Sequence, residues 1–252
     1  MKNAINFFLI FKVLDLPFKE QFMWTKALFH SLQKETELTW KFFIKIEVDK
    51  FNYTAGQFIQ IKINDLIRSY SIASFNENSN LVELIIVKLE GGKMSTLLFE
   101  KIVEGDELEV KGPLGKFILP DVINNDIFFI CTGAGLAPFR SMLKYINLKK
   151  INYQNIYLIF GTRTIKDILY FVEMNYLNNS MINFKYIPTL SREKWIGKSG
   201  YVHEQYLNIL KNKSVNNPIF YLCGWKDMIK EARTNLKGLG FESKKIKLEI
   251  YG

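Results

Sequence analysis

The hydrophobic pattern of this chain changes period near Pro120, and no other feature narrows the possible folds as much. From residue 37 to about 116 apolar residues alternate as they do in strands: 38–48, then Gln-Phe-Ile-Gln-Ile-Lys-Ile at 57–63, then 68–74, 81–89 and 107–111. Turn residues separate these runs at Asn64-Asp65, 76–80, Gly91-Gly92 and Gly112-Pro113. Short strands at this spacing predict a small antiparallel β-barrel. One helical stretch, 94–103, interrupts it, with Leu97, Leu98 and Ile102 at helical spacing. After Pro120 strand runs at 127–131, 156–160, 184–190, 219–223 and 246–251 alternate with helical segments at 136–148, 167–177, 201–210 and 226–239. That alternation predicts an α/β domain with a doubly wound parallel sheet, its ligand lying outside the carboxyl ends of the strands. The expected division is an N-terminal extension at 1–22, a barrel domain at 23–120 and an α/β domain at 121–252. Residues 1–22 are aromatic-rich without a clear period, and read either as an extension or as sequence ahead of a true start at Met23.

Two cysteines, Cys131 and Cys223, and two histidines, His30 and His203, provide no ligand set for zinc or an iron–sulfur cluster. Redox chemistry here would rest on an organic cofactor, with no metal. No apolar run approaches the ~20 residues that cross a bilayer. The run at 7–11 is short for the core of a signal sequence and ends at Lys12. A cytoplasmic location without membrane insertion is the expectation. The net charge of +9 points to an anionic partner. The 29 lysines are scattered, which reads as a solvated basic surface and not as a nucleic-acid groove. A basic binding module without catalysis is the rival from another class, and it predicts a colourless protein. The five arginines are more selective: Arg68, Arg140, Arg163 and Arg192 all fall in turn or motif segments. A planar guanidinium meets a phosphate at two points, which an ammonium does not.

Six short constellations carry the chemistry. In Arg68-Ser69-Tyr70-Ser71, strand alternation puts Arg68 and Tyr70 on one face and Ser71 on the other. An aromatic beside an arginine suits a flat ring with an attached phosphate, or else a plain edge strand. Gly91-Gly92-Lys93-Met94-Ser95-Thr96 opens the isolated helix, as a phosphate cradle or as a hairpin turn with a simple cap. Thr132-Gly133-Ala134-Gly135-Leu136-Ala137-Pro138 joins the first parallel strand to its helix, where a pyrophosphate would sit, and Pro138 suits a first helical turn. Its G-x-G-x-x-P pattern departs from the dinucleotide fingerprint. Arg140, just inside that helix, reads equally as structural or functional. Loops after the next two strands carry Gly161-Thr162-Arg163-Thr164 and Ser191-Arg192-Glu193-Lys194, and both open on the same crevice. Arg163, Ser191, Arg192 and Lys194 there suit a ribose or a 2′-phosphate, or are ordinary loop polarity. Cys223-Gly224-Trp225 ends the fourth strand, and a lone cysteine is as readily a small buried hydrophobe as a reactive group. Leu248-Glu249-Ile250-Tyr251-Gly252 closes the chain.

Taken in order, R-x-Y-S, G-x-x-S, G-x-G-x-x-P, C-G and a C-terminal E-x-Y resemble the ferredoxin–NADP reductase family, over roughly residue 34 to the end. The resemblance implies an FAD-dependent oxidoreductase that transfers hydride between NAD(P)H and flavin, and single electrons to or from a carrier. It implies that Tyr70 stacks on the isoalloxazine, that Arg68 binds the FAD pyrophosphate with the 92–95 segment, and that Ser71 bonds near the reacting flavin nitrogen. Gly133, Gly135 and Pro138 would form the nicotinamide-nucleotide turn. Cys223 and Glu249 would border the nicotinamide pocket, and Tyr251 would cover the other flavin face; family members with a terminal aromatic end in Tyr or Trp, whereas Gly252 follows here. Ser191-Arg192-Glu193 favours NADP(H) over NAD(H). An acidic carrier, ferredoxin or flavodoxin, is the expected partner, with an NAD(P)H-dependent flavin or oxygenase-component reductase as the alternative. Because the chain holds no cysteine cluster, the acceptor is expected to be a separate protein.

Overall fold

The computed structural model describes residues 23–77 and 79–251, so the extension expected at 1–22 lies outside the described residues, as does the side chain of Tyr251. The first half is a six-stranded antiparallel sheet: β1 (Thr25–Lys34), β2 (Thr39–Ile46), β3 (Phe58–Ile63), β4 (Leu66–Ser71), β5 (Leu81–Val87) and β6 (Glu107–Leu114). Its order is β4-β3-β6-β1-β2-β5. A bridge between Ile72 and Leu84 connects the two edge strands and curls the sheet toward a barrel. Alternation sends Phe42, Ile44, Ile59, Ile61, Val82 and Leu84 into one apolar interior. The sequence reading has no strand at β1. A bulge between Phe29 and Ser31 breaks its period, so only Ala27 and Phe29 alternate inward. The helical insertion is a short α1 (Lys93–Thr96) running into a π-helical turn (Leu97–Lys101), with Met94 and Leu98 plugging the barrel.

The second half is a six-stranded parallel sheet: β7 (Ile127–Thr132), β8 (Ile156–Thr162), β9 (Phe184–Leu190), β10 (Lys198–Ser199), β11 (Ile219–Trp225) and β12 (Ile246–Tyr251). Its order is β10-β9-β8-β7-β11-β12, so the winding reverses between β7 and β11. Strands such as Ile-Phe-Phe-Ile-Cys are apolar throughout because both faces are covered. Helices α2 (Leu136–Lys149) and α3 (Phe171–Ser180) cover one face. Helices α4 (Val202–Asn212) and α5 (Lys226–Gly238) cover the other. The α2 face also takes Ala55, Ala73, Ile85 and Phe117 of the barrel into its core, so the two halves share one apolar seam.

The winding reversal brings two turns together. A Cβ on Gly135 would collide with the Cys223 carbonyl and stand 2.8 Å from the Gly224 Cα. Gly224 has φ +132° and lies equally close to the Thr132 main chain, where a Cβ would meet the carbonyl oxygen at 2.8 Å. Both neighbours are backbone, which cannot rotate away. Gly135→Ala should therefore destabilise the chain by about 1–3 kcal/mol. A urea midpoint unchanged from wild type would show that the turns yield.

Candidate functional site

At the reversal point of a doubly wound sheet the strand ends splay apart and leave a crevice. Here its walls are the Gly133–Gly135 turn and the Cys223-Gly224-Trp225 corner. The Thr132 hydroxyl accepts from the Trp225 N–H at 3.2 Å and holds the corner against the turn. Gly133, at φ +53°, presents bare backbone at the mouth, where a Cβ would find its nearest neighbour in the Trp225 indole nitrogen at 3.9 Å. Pro138 lies in the first turn of α2. Thr132, Gly133, Gly135, Pro138, Cys223 and Gly224 thus form one structure. Trp225, 66% exposed beside it, was not singled out in the sequence; an aromatic directly after a strand-ending glycine was the available signal.

A hydrogen bond ties the barrel to this crevice. Ser71 Oγ, at the end of β4, donates to Glu249 Oε1 in β12 at 2.5 Å. Glu249 pairs in register with Cys223, and Cys223 with Cys131, so the barrel strand reaches the strand ends of both walls. Burial raises the Glu249 carboxyl above its ordinary range, and the Ser71 bond partly offsets this. Cys223 is fully buried in the seam. One residue back along β4, the partly buried Tyr70 phenol is pushed up to about 12 by desolvation, against the pull of the neighbouring Arg68. Arg68 is exposed, with Nη1 donating to the Ile67 carbonyl at 2.8 Å. Gly92 caps α1, which lies against β4, and Ser95 Oγ accepts from the Leu89 N–H at 3.0 Å, closing the loop that also holds Lys93, Met94 and Thr96. Tyr251 pairs in register with Trp225, and its side chain is outside the described residues.

Arg163, Ser191 and Arg192 form a second group, on the loops after β8 and β9. Their backbones are joined by Ser191 N–H to Thr162 O and Arg192 N–H to Arg163 O, both at 3.0 Å. Ser191 Oγ also donates to Thr162 O at 3.2 Å, and the Glu193 carboxylate accepts from the Ile165 N–H at 2.8 Å.

Arg140, left open by the sequence, is 4% exposed and belongs to neither group. Its Nη1 donates to Ala73 O at 2.9 Å and to Glu83 at 2.8 Å, while Nε and Nη2 hold Glu173. The readable signal for its partner was Glu83 itself, a carboxylate inside the apolar run Leu-Val-Glu-Leu-Ile-Ile-Val. Among the described residues no group of three or more His, Cys, Asp or Glu could hold a metal ion, and no helix is long and apolar enough to cross a membrane.

Two family models match this chain. The family model for oxidoreductase FAD-binding domains matches residues 30–118, and that for oxidoreductase NAD-binding domains matches residues 129–234. The phenol hydroxylase P5 protein of Acinetobacter pittii is 32% identical over 200 residues, which cover 77% of this chain and 56% of the relative. The anthranilate 1,2-dioxygenase electron transfer component of Acinetobacter baylyi is 33% identical over 192 residues, 74% of this chain and 54% of the relative. The chain spans little more than half the length of these curated relatives. Among solved structures, a ferredoxin NADP+ reductase from Neisseria gonorrhoeae superimposes with a TM-score of 0.79 at 23% identity, over 90% of this chain and 98% of that one. The cytochrome b5 reductase domain of Ulva prolifera nitrate reductase gives 0.77 at 25% identity, over 90% and 97%.

The Glu249 shift has a stability consequence. Its folded-state pKa lies above the unfolded value, so between the two the folded chain holds the extra proton. The contribution of Glu249 to stability then falls as pH rises from about 4 through that window. Glu249→Gln should flatten this segment of the pH–stability curve in denaturant titrations, and an unaltered slope would place the proton elsewhere.

Proposed function

The chain belongs to the ferredoxin–NADP reductase family of FAD- and NAD-binding oxidoreductases, and we propose that it moves a hydride between NAD(P)H and FAD and exchanges single electrons with a separate protein carrier. The observation that carries this reading is the Ser71–Glu249 hydrogen bond, which joins the strand of Arg68 and Tyr70 to the crevice beside Cys223. The residues suit both groups: an exposed guanidinium next to a half-buried phenol ring on one side, and a bare-backbone glycine turn before a helix N-terminus on the other. FAD, when bound, supplies the interchange between two-electron and one-electron transfer.

In this reading the protein's own groups bind, orient and exclude water. Tyr70 offers a ring face for the isoalloxazine. Arg68 and the loop of Gly92, Lys93, Met94, Ser95 and Thr96 hold the FAD pyrophosphate. The turn of Thr132, Gly133, Gly135 and Pro138 holds the nicotinamide nucleotide's pyrophosphate, and Cys223 with Gly224 floors its ring pocket without water. Ser71 Oγ donates to Glu249 Oε1 beside the reacting rings, and burial raises that carboxyl, which favours its holding a proton of its own. Tyr251 is assigned to the flavin's exposed face on its register opposite Trp225. Arg163 and Arg192, on adjoining loops, suit a 2′-phosphate, so NADPH is taken as the preferred donor over NADH.

For the carrier, α5 presents Lys226, Lys230, Arg233 and Lys237 along one edge, beside the apolar Leu248 and Ile250 of β12. A cationic rim around an apolar strip suits an acidic carrier such as ferredoxin or flavodoxin and would steer its approach. A second reading has an oxygenase component in the carrier's place, favoured by the likeness to the phenol hydroxylase P5 protein and the anthranilate 1,2-dioxygenase electron transfer component.

Anaerobic stopped-flow mixing of the FAD-loaded chain with NADPH and with NADH tests the hydride step, seen as bleaching of the flavin band. Bleaching by neither nucleotide sinks the reading. Tyr70→Ala should release FAD more easily, by about 1 kcal/mol for the lost stacking. Arg192→Ala should weaken NADPH by about tenfold to a hundredfold, as expected for a charged hydrogen bond, and leave NADH nearly unchanged. Equal losses for the two nucleotides would defeat the 2′-phosphate assignment.

A further inference from the structure

The strongest device outside the two nucleotide sites is an ionic knot buried between the domains. Arg140 in α2 is its centre, and all three nitrogens of its guanidinium are engaged: Glu173 in α3 on one side, Glu83 and the Ala73 carbonyl of the barrel on the other. Its Cζ lies 4.0 Å from the centre of the Tyr170 ring, and Lys41 Nζ of β2 lies 4.6 Å from the same centre, so two cations lie over the phenol ring. Tyr170 then reaches into the barrel twice: its OH donates to Glu83 at 2.5 Å and its N–H donates to Glu35 at 2.6 Å. Glu35 is paired in turn with Lys41 at 2.6 Å. Tyr170 adopts φ +49°, a left-handed conformation that a bulky residue keeps only where its surroundings over-determine it.

The knot continues along α2. Ser141 Oγ donates to Ser74 O at 2.7 Å, Tyr145 packs edge-on against Phe75 with ring centres 5.0 Å apart, and Lys149 pairs with Glu77. One face of α2 is thereby fastened residue by residue to 73–77, the segment that follows Ser71. The same helix begins at the Gly133–Gly135 turn.

A buried ion pair is a poor device for stability alone, because desolvation consumes most of the Coulombic gain and an apolar contact of equal volume serves as well. What a fork of directed hydrogen bonds supplies is orientation. We infer that Arg140 and Tyr170 are positioning residues, which set the approach of the nucleotide turn to the flavin strand and so govern the rate of hydride transfer without touching either ring. The inference rests on the hydride-transfer reading. Reaction between two stacked rings is steeply sensitive to their separation, and a 1 Å displacement costs about a hundredfold.

The test compares Arg140→Lys, which keeps the charge and loses the fork, with wild type as FAD-loaded full chains. Anaerobic stopped-flow over a range of NADPH separates the limiting rate of flavin reduction from nucleotide affinity, and amide hydrogen exchange at 73–77 and 246–251 gives a readout independent of turnover. The expected result is a limiting rate lower by about tenfold or more, with nucleotide affinity within about twofold, full FAD retention and faster exchange in both segments. Where Arg140→Lys does not fold, Tyr170→Phe removes a single oxygen and is judged by the same rate, affinity and exchange. A wild-type limiting rate in the folded variant overturns the inference, and so does a rate loss matched by equal loss of affinity. Failure of wild type itself to be reduced by NADPH or NADH is a different signal, which removes the hydride reading and this inference with it.

Discussion

A carboxylate in the middle of an apolar strand has to be met by a cation, and Glu83 in β5 is met from the other domain. That requirement governs much of the remaining structure. Barrel and sheet share an apolar seam of Ala55, Ala73, Ile85 and Phe117 against Leu136, Phe139 and Met142, and such contact is adhesive without being directional. Arg140 adds direction, since its fork, the Ala73 carbonyl and the Tyr170 ring are satisfied together in one relative placement only. A sliding of one domain on the other would leave buried charges without partners, at a cost of several kcal/mol. The placement that satisfies them is the one in which Ser71 meets Glu249.

At that meeting point two opposing effects act on one carboxyl. Burial favours the protonated form of Glu249, and the short bond from Ser71 favours the ionised one. Burial dominates, so the carboxyl stands above its ordinary range, in register with the fully buried Cys223 and close to the packed glycine turns. The turns pack so closely because Gly135 and Gly224 lack side chains. With any other residue at either position, β7 and β11 would have to separate, and β12, paired to β11 alone, would carry Glu249 away from Ser71.

The two-domain architecture was legible because the change of period at Pro120 is a local property of the sequence, and so were the parallel strands, apolar enough to need cover on both faces. β1 was not legible, because its bulge at His30 breaks the alternation on which a strand is recognised. The crevice residues were legible as an ordered set of loose motifs, each of them turn-forming or phosphate-friendly by its own chemistry. Arg140 was visible but unassigned, since its role depends on Glu83, 57 positions away in sequence, and on Glu173 and Tyr170, which no spacing rule connects. The odd residue in a strand, Glu83 among valine, leucine and isoleucine, was the one clue that a long-range partner existed.

The last strand shows how period 2 lets six residues serve two surfaces. On one face of β12, Lys247 donates to the Ile118 carbonyl of the interdomain segment at 3.2 Å, and Glu249 accepts from Ser71. On the other, Leu248 and Ile250 stand partly exposed beside the cationic edge of α5. A one-residue slip of β12 against β11 would exchange the two sets, burying Leu248 against the barrel and turning Glu249 toward four cations. Register is held by the parallel pairing from Phe220–Ile246 to Trp225–Tyr251 and by the Lys247 bonds to Ile118 and Tyr221. The Ser71–Glu249 bond and the basic edge of α5 are therefore tied through a single strand, so a change that alters the seating of β12 acts on both.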